Sequence, residues 1–146
     1  MNQLLDMKFF NCVSPQSANG GSFANNTAVD TQGLLDLIFL IETGAMAAAI
    51  GSVAATNALE VEECDAVGGS YTDVTDAALA AAIADTKDNK MYAIRVNLCK
   101  SHKRFMRIKD PVAGAGACLL SVKAIGVPNI APQIAAGMGL EELVLA

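Results

Sequence analysis

Between Met91 and Leu98 the chain alternates: Tyr92, Ile94, Val96 and Leu98 share one side of an extended backbone, Arg95 and Asn97 the other. That period of two predicts a half-buried strand, because successive strand side chains point to opposite faces. A second run, Ala117 to Ile125, is largely apolar on both faces, which predicts a strand buried on both sides or lying against a neighbouring subunit. Further β-branched runs bounded by turn residues predict strands at Lys8 to Val13, Thr27 to Val29, Leu34 to Thr43, Ala58 to Cys64 and Arg104 to Lys109. Turn chemistry separates them at Asn19-Gly20-Gly21, Val67-Gly68-Gly69-Ser70, Asp88-Asn89, Asp110-Pro111 and Gly114-Ala115-Gly116. Thr75 to Thr86 predicts a helix of about three turns: it is Ala-rich, sets Leu79 and Ile83 on one face and opens on Thr75 and Asp76 as caps. For the Ala-rich stretch Met46 to Ala55, periodicity does not choose between helix, strand and loop. Short strands at regular spacing with Gly-rich turns predict a mainly β chain, a β-sandwich or jelly-roll-like single domain with one or two short helical insertions.

A length of 146 residues suits one domain with its own core. Apolar residues make up 53% of the chain, yet aromatics are only 5% and Trp is absent. The charged fraction, 17%, is below the roughly 25% usual for soluble domains, which predicts a surface partly covered by neighbours. Charge is also segregated. Residues 1–86 carry eleven acids and one base, 87–109 eight bases and one acid, and 110–146 three acids and one base. An acidic body with one basic segment predicts head-to-tail or ring contacts between copies, with an ordinary solvated strand pair as the alternative.

Leu34 to Ala58 is apolar enough to suggest a membrane span, but Asp36 and Glu42 interrupt it. The remaining Gly44 to Ala58 is shorter than the ~20 residues a bilayer requires. The N-terminus lacks the basic start and apolar run of a signal peptide, so a cytoplasmic origin is expected. Cys12, Cys64, Cys99 and Cys118 show neither CxxC nor Cys-His spacing and are expected as buried thiols.

Candidate chemistry is sparse. His102, the one histidine, lies in the polar turn Ser101-His102-Lys103-Arg104, and a Cys99–His102 nucleophile pair is the enzymatic alternative, with no third group in view. Glu60, Glu62, Glu63 and Asp65 form the densest acidic cluster, but on a strand Glu60 and Glu62 take one face and Glu63 and Asp65 the other, so cation ligands would diverge. Gly114-Ala115-Gly116 lacks the lysine and spacing of a phosphate loop. The basic segment holds Tyr92 and Phe105 among its charges, but a pI near 4.7 favours an acidic protein surface over nucleic acid as its partner.

Four stretches together resemble a family of small virion proteins of tailed phages. They are Asn26-Thr27-Ala28-Val29-Asp30-Thr31-Gln32-Gly33, then Leu59 to Asp65 followed by Tyr71-Thr72-Asp73-Val74, then Lys103-Arg104-Phe105-Met106-Arg107-Ile108, and Gly126-Val127-Pro128-Asn129-Ile130-Ala131-Pro132. The resemblance spans about residues 12 to 132. It departs at Cys64-Asp65-Ala66, where the family tends to carry a Ser and two acids, and at Leu34, where it tends to carry an aromatic. The family is that of capsid decoration, or cement, proteins. The resemblance implies a non-enzymatic protein on the capsid surface, made in the host cytoplasm, without cofactor or metal. The implied partners are the major capsid protein and the chain itself, as homodimer or homotrimer, with neither nucleic acid nor membrane. A neck or tail-associated virion protein is the nearest alternative. The expected layout is an N-terminal arm and first strand at 1–26, a β core at 27–132 and a C-terminal arm at 133–146. Phe9, Phe10, Arg104, Arg107, Leu140 and Leu143 are the expected interface residues.

Overall fold

A computed structural model describes residues 6–17, 23–50, 59–109, 118–129 and 139. Among these residues, eight strands form two four-stranded antiparallel sheets: β1 (Lys8–Ser17), β2 (Val29–Asp30), β3 (Leu34–Met46), β4 (Glu60–Cys64), β5 (Thr72–Ala78), β6 (Met91–Asn97), β7 (Phe105–Ile108) and β8 (Cys118–Pro128). One sheet runs β1-β8-β3-β6, the other β2-β7-β4-β5. The pairing is nested: β4 meets β5, β3 meets β6, β2 meets β7 and β1 meets β8. That is a hairpin rolled into two layers, the strand order of a jelly roll. The mainly β expectation is met, and the seven predicted strands each fall on a strand of the fold.

Burial follows the pleat. On β3, Leu37, Phe39, Ile41 and Thr43 are turned inward, and on β8 Cys118, Leu120, Val122 and Ala124 are their counterparts. Phe10, Ala124, Phe39 and Ile94 form one inner row across all four strands of the first sheet. Val29, Val61, Met106 and Ile108 close the core from the second sheet. Each fully buried aliphatic side chain contributes about 1.5–3 kcal/mol. A Cβ on Gly126 would stand 2.8 Å from Leu34 Cδ1 and 3.2 Å from Phe10 Cε2, so the absence of a side chain lets β8 sit beneath those two groups. Gly33 takes φ +79° in the turn between β2 and β3, a conformation glycine adopts without strain.

The helix predicted over Thr75 to Thr86 is replaced by β5 and an irregular return. Asp76, expected as a cap, has φ 62°, a left-handed conformation that interrupts any helical turn there. Tertiary pairing overrides the helix preference of alanine. Leu79 N–H bonds Leu59 O at 2.9 Å, and Ile83 exchanges backbone bonds of 2.8 and 2.9 Å with Ile50. No helical insertion occurs among the described residues between β1 and β8. Of Met46 to Ala55, Met46 ends β3 and Ile50 forms that bridge; 51–55 lie outside the described residues, as do the turns at 19–21 and 110–116. Among the described residues no helix is long and apolar enough to cross a membrane.

Candidate interaction face

The two outer faces of the sandwich differ in kind. On the β2-β7-β4-β5 sheet, the acidic strand β4 lies directly beside the basic strand β7, with Glu62 opposite Arg107. Arg107 Nε donates to Glu62 Oε1 at 2.6 Å, and its guanidinium lies 4.0 Å from the Tyr71 ring centroid. Lys109 Nζ reaches Glu60 Oε1 at 2.7 Å and Asp73 Oδ1 at 2.8 Å. Hydrogen bonds to Asp73 and Glu60 raise the Lys109 ammonium above its ordinary value. Arg104 bonds both carboxylate oxygens of Asp30, which lowers the Asp30 pKa. Four of the eight cations in residues 87–109, Arg95, Arg104, Arg107 and Lys109, are thus ion-paired within one chain, Arg107 and Lys109 because the fold lays β7 and its end against β4. Sequence order carries the charges but not the register that pairs them.

The β1-β8-β3-β6 sheet turns a face of mixed apolar and polar groups outward, with Val127, Asp36 and Asn97 in its first row. Phe9, Ile125 and Ile38 stand side by side in one row that ends on Arg95. The next row is Asn11, Lys123, Leu40 and Ala93; beyond it Ser121, Glu42 and Met91 align. Leu119 and Met91 are 48% and 67% exposed, large values for side chains of that size. Arg95 is held by Asp36, with Nε donating to Oδ2 at 2.7 Å. Lys123 Nζ donates to Asn11 Oδ1 at 2.7 Å, and Glu42 Oε2 accepts from Ser121 Oγ at 3.5 Å. Among the described residues neither Lys123 nor Glu42 forms an ion pair. The largely apolar character of both sides of β8 signals this face in the sequence; the matching outward groups of β3, Ile38 and Leu40, are hidden inside the unbroken apolar stretch from Leu37 to Ile41.

The expected site residues distribute unevenly. Phe9 lies in the outer apolar row, whereas Phe10 packs against the core. Arg104 and Arg107 are engaged with Asp30 and Glu62, and Leu140 and Leu143 lie outside the described residues. Of the cysteines, Cys12, Cys64 and Cys118 are buried as expected, but Cys99 is exposed because it follows the last paired residue of β6. His102 Nδ1 sits 2.8 Å from Lys103 O and 3.5 Å from Thr31 Oγ1. Cys99 Sγ faces Leu35 O at 3.7 Å, and no hydrogen bond joins it to His102. Glu60 and Glu62 share the outer face, as the strand period predicts, while Glu63 Oε2 accepts the Lys103 N–H at 3.0 Å. The described residues contain no cluster of three or more His, Cys, Asp or Glu side chains able to hold a metal. Glu63, Asp76, Arg95, Lys100 and His102 line a mixed-charge cleft of about 430 Å³ between β5 and β6.

No family model, curated protein or solved structure matches the chain.

Proposed function

We propose that the chain is a structural virion protein that decorates and stabilises the capsid exterior of a tailed phage, associating with itself and binding the major capsid protein. The observation that carries this reading is the contrast between faces. One side of the jelly roll carries the ion-paired Asp30, Glu60, Glu62 and Asp73; the other sets Phe9, Ile38, Leu40 and Ile125, half-buried, and Leu119 and Met91, exposed, among a few polar groups. A face rich in apolar groups backed by a charge-paired one suits a self-associating protein that buries the first side against another chain while the second stays outward. The four motif stretches that resemble decoration proteins support the same reading, and most of them fall on strands of this fold: β2, β4, β5, β7 and the end of β8. A clamp repeated over a shell gains from avidity, since many modest contacts add without any of them being strong. The role requires no active site, cofactor, nucleic acid or membrane.

The test is to mix purified protein with undecorated expanded capsids and image them. Regular density over the shell exterior is expected. Bare shells would overturn the proposal, and density confined to the portal vertex would replace it with a neck or tail role.

A further inference from the structure

We infer that the outer face of the β1-β8-β3-β6 sheet is self-complementary and joins two copies of this chain about a twofold axis, with Glu42 of each copy against Lys123 of the other. The inference rests on the reading of a self-associating virion protein and adds the surface and symmetry it uses.

Charge selects the occupant. Ladder register places Lys123 opposite Leu40 and Glu42 opposite Ser121, so the acid and the base are diagonal neighbours on adjacent strands. They have opposite sign, and among the described residues neither has an ionic partner, whereas Arg95 on the same face is already satisfied by Asp36. A twofold contact sets residue i on residue j and j on i. An axis lying in the face, midway between Glu42 and Lys123, therefore forms two ion pairs at once. Strands about 4.8 Å apart, with same-face residues roughly 6.8 Å apart along each, put Leu40 close to that axis and against its own counterpart. Ile125, Ile38 and Met91 lie beside the charged pair along with the polar Asn11 and Ser121, and the apolar groups strengthen the pair where they exclude water. A face that offered apolar groups alone would not distinguish a second copy from other partners. One acid beside one base, neither of them ion-paired among the described residues, does, because the patch is its own electrostatic complement.

The experiment is sedimentation equilibrium of the full chain as wild type, Glu42→Lys, Lys123→Glu and the double exchange, with thermal unfolding recorded for each. Wild type is expected to dimerise at micromolar concentration. Each single exchange weakens dimerisation roughly tenfold or more by opposing like charges, and the double exchange restores it to within a few-fold. A wild type that stays monomeric at about 100 μM, where even weak dimers form, overturns the inference. So does a double exchange as weak as the singles. So do single exchanges that lower thermal stability without altering association, since the face would then be covered by the chain itself. The two proposals fail separately: a dimer that leaves shells bare removes the virion role alone, and a monomer that coats shells removes this interface alone.

Discussion

Arg107 donates to Glu62 at 2.6 Å across the β4–β7 ladder, and of the two the carboxylate is the deeper, with a side chain only 9% exposed. Removing the arginine leaves a buried acceptor without its charged donor. Arg107→Ala is therefore expected to destabilise the fold by about 2 kcal/mol, the usual cost of losing a charged hydrogen bond. Arg95→Ala, which removes an arginine 68% exposed from Asp36, is expected to cost less. Urea unfolding of the two variants checks the order; equal costs would mean that the β4–β7 pair is solvated.

Thr43 ties the segment before β6 to β3. Its hydroxyl donates to Lys87 O at 2.8 Å and accepts the Lys90 N–H at 2.9 Å, with the residue 1% exposed. Thr43→Val keeps the shape but leaves two backbone groups unsatisfied, and a loss of about 2 kcal/mol is expected. Thr43→Ser keeps the hydroxyl and should recover much of that loss, measured by thermal or urea unfolding.

The sequence made the strands legible wherever one face was polar. Met91 to Leu98 shows its pleat directly, and Ile94 and Val96 are indeed buried while Arg95 and Asn97 are exposed. β5 was illegible because Thr75-Asp76 followed by alanines has the local grammar of a capped helix. Only pairing with β4, a tertiary fact that local propensity does not carry, turns that stretch into a strand. The candidate face was half legible. β8 announced two apolar sides, but nothing local says that Ile38 and Leu40 share its outer surface, since register between strands far apart in sequence is set by the whole sheet.

The cysteines should separate cleanly by reactivity. Burial pushes the Cys12 thiol up to about 12, against a small opposing pull from Lys123, so it carries almost no thiolate at pH 8. Cys99 alone is exposed. A disulfide reagent at pH 8 is expected to modify one thiol rapidly in the folded protein and all four after denaturation; Cys99→Ser should abolish the rapid phase.

Lys109 supplies a pH signature. Its bonds to Asp73 and Glu60 raise it above the ordinary 10.5, so the folded state holds the proton more tightly than the unfolded chain. The stabilisation is complete below the ordinary value and disappears as pH rises through the folded one. The stability difference between wild type and Lys109→Met should be flat from about pH 7 to 9 and shrink above pH 10. Thiol ionisation acts on both proteins equally and cancels from the comparison. A difference that grows with alkali would contradict the bonding.

The nested strand pairing also constrains the order in which the chain can come together. Among the described strands only β4 and β5 close across a short turn, from Cys64 to Thr72. Every other partner is far along the chain, and each waits for the pair inside it to shorten the loop it must close. Folding of such a chain runs outward from the Val67–Ser70 turn, with β1 and β8 meeting last. A nick in that turn would leave the outer face of β1-β8-β3-β6 untouched in the finished molecule, yet it would deprive the chain of the one short-range strand pairing among the described residues. The turn farthest in pairing order from β1 and β8 is thus the point on which the rate of reaching the native state depends.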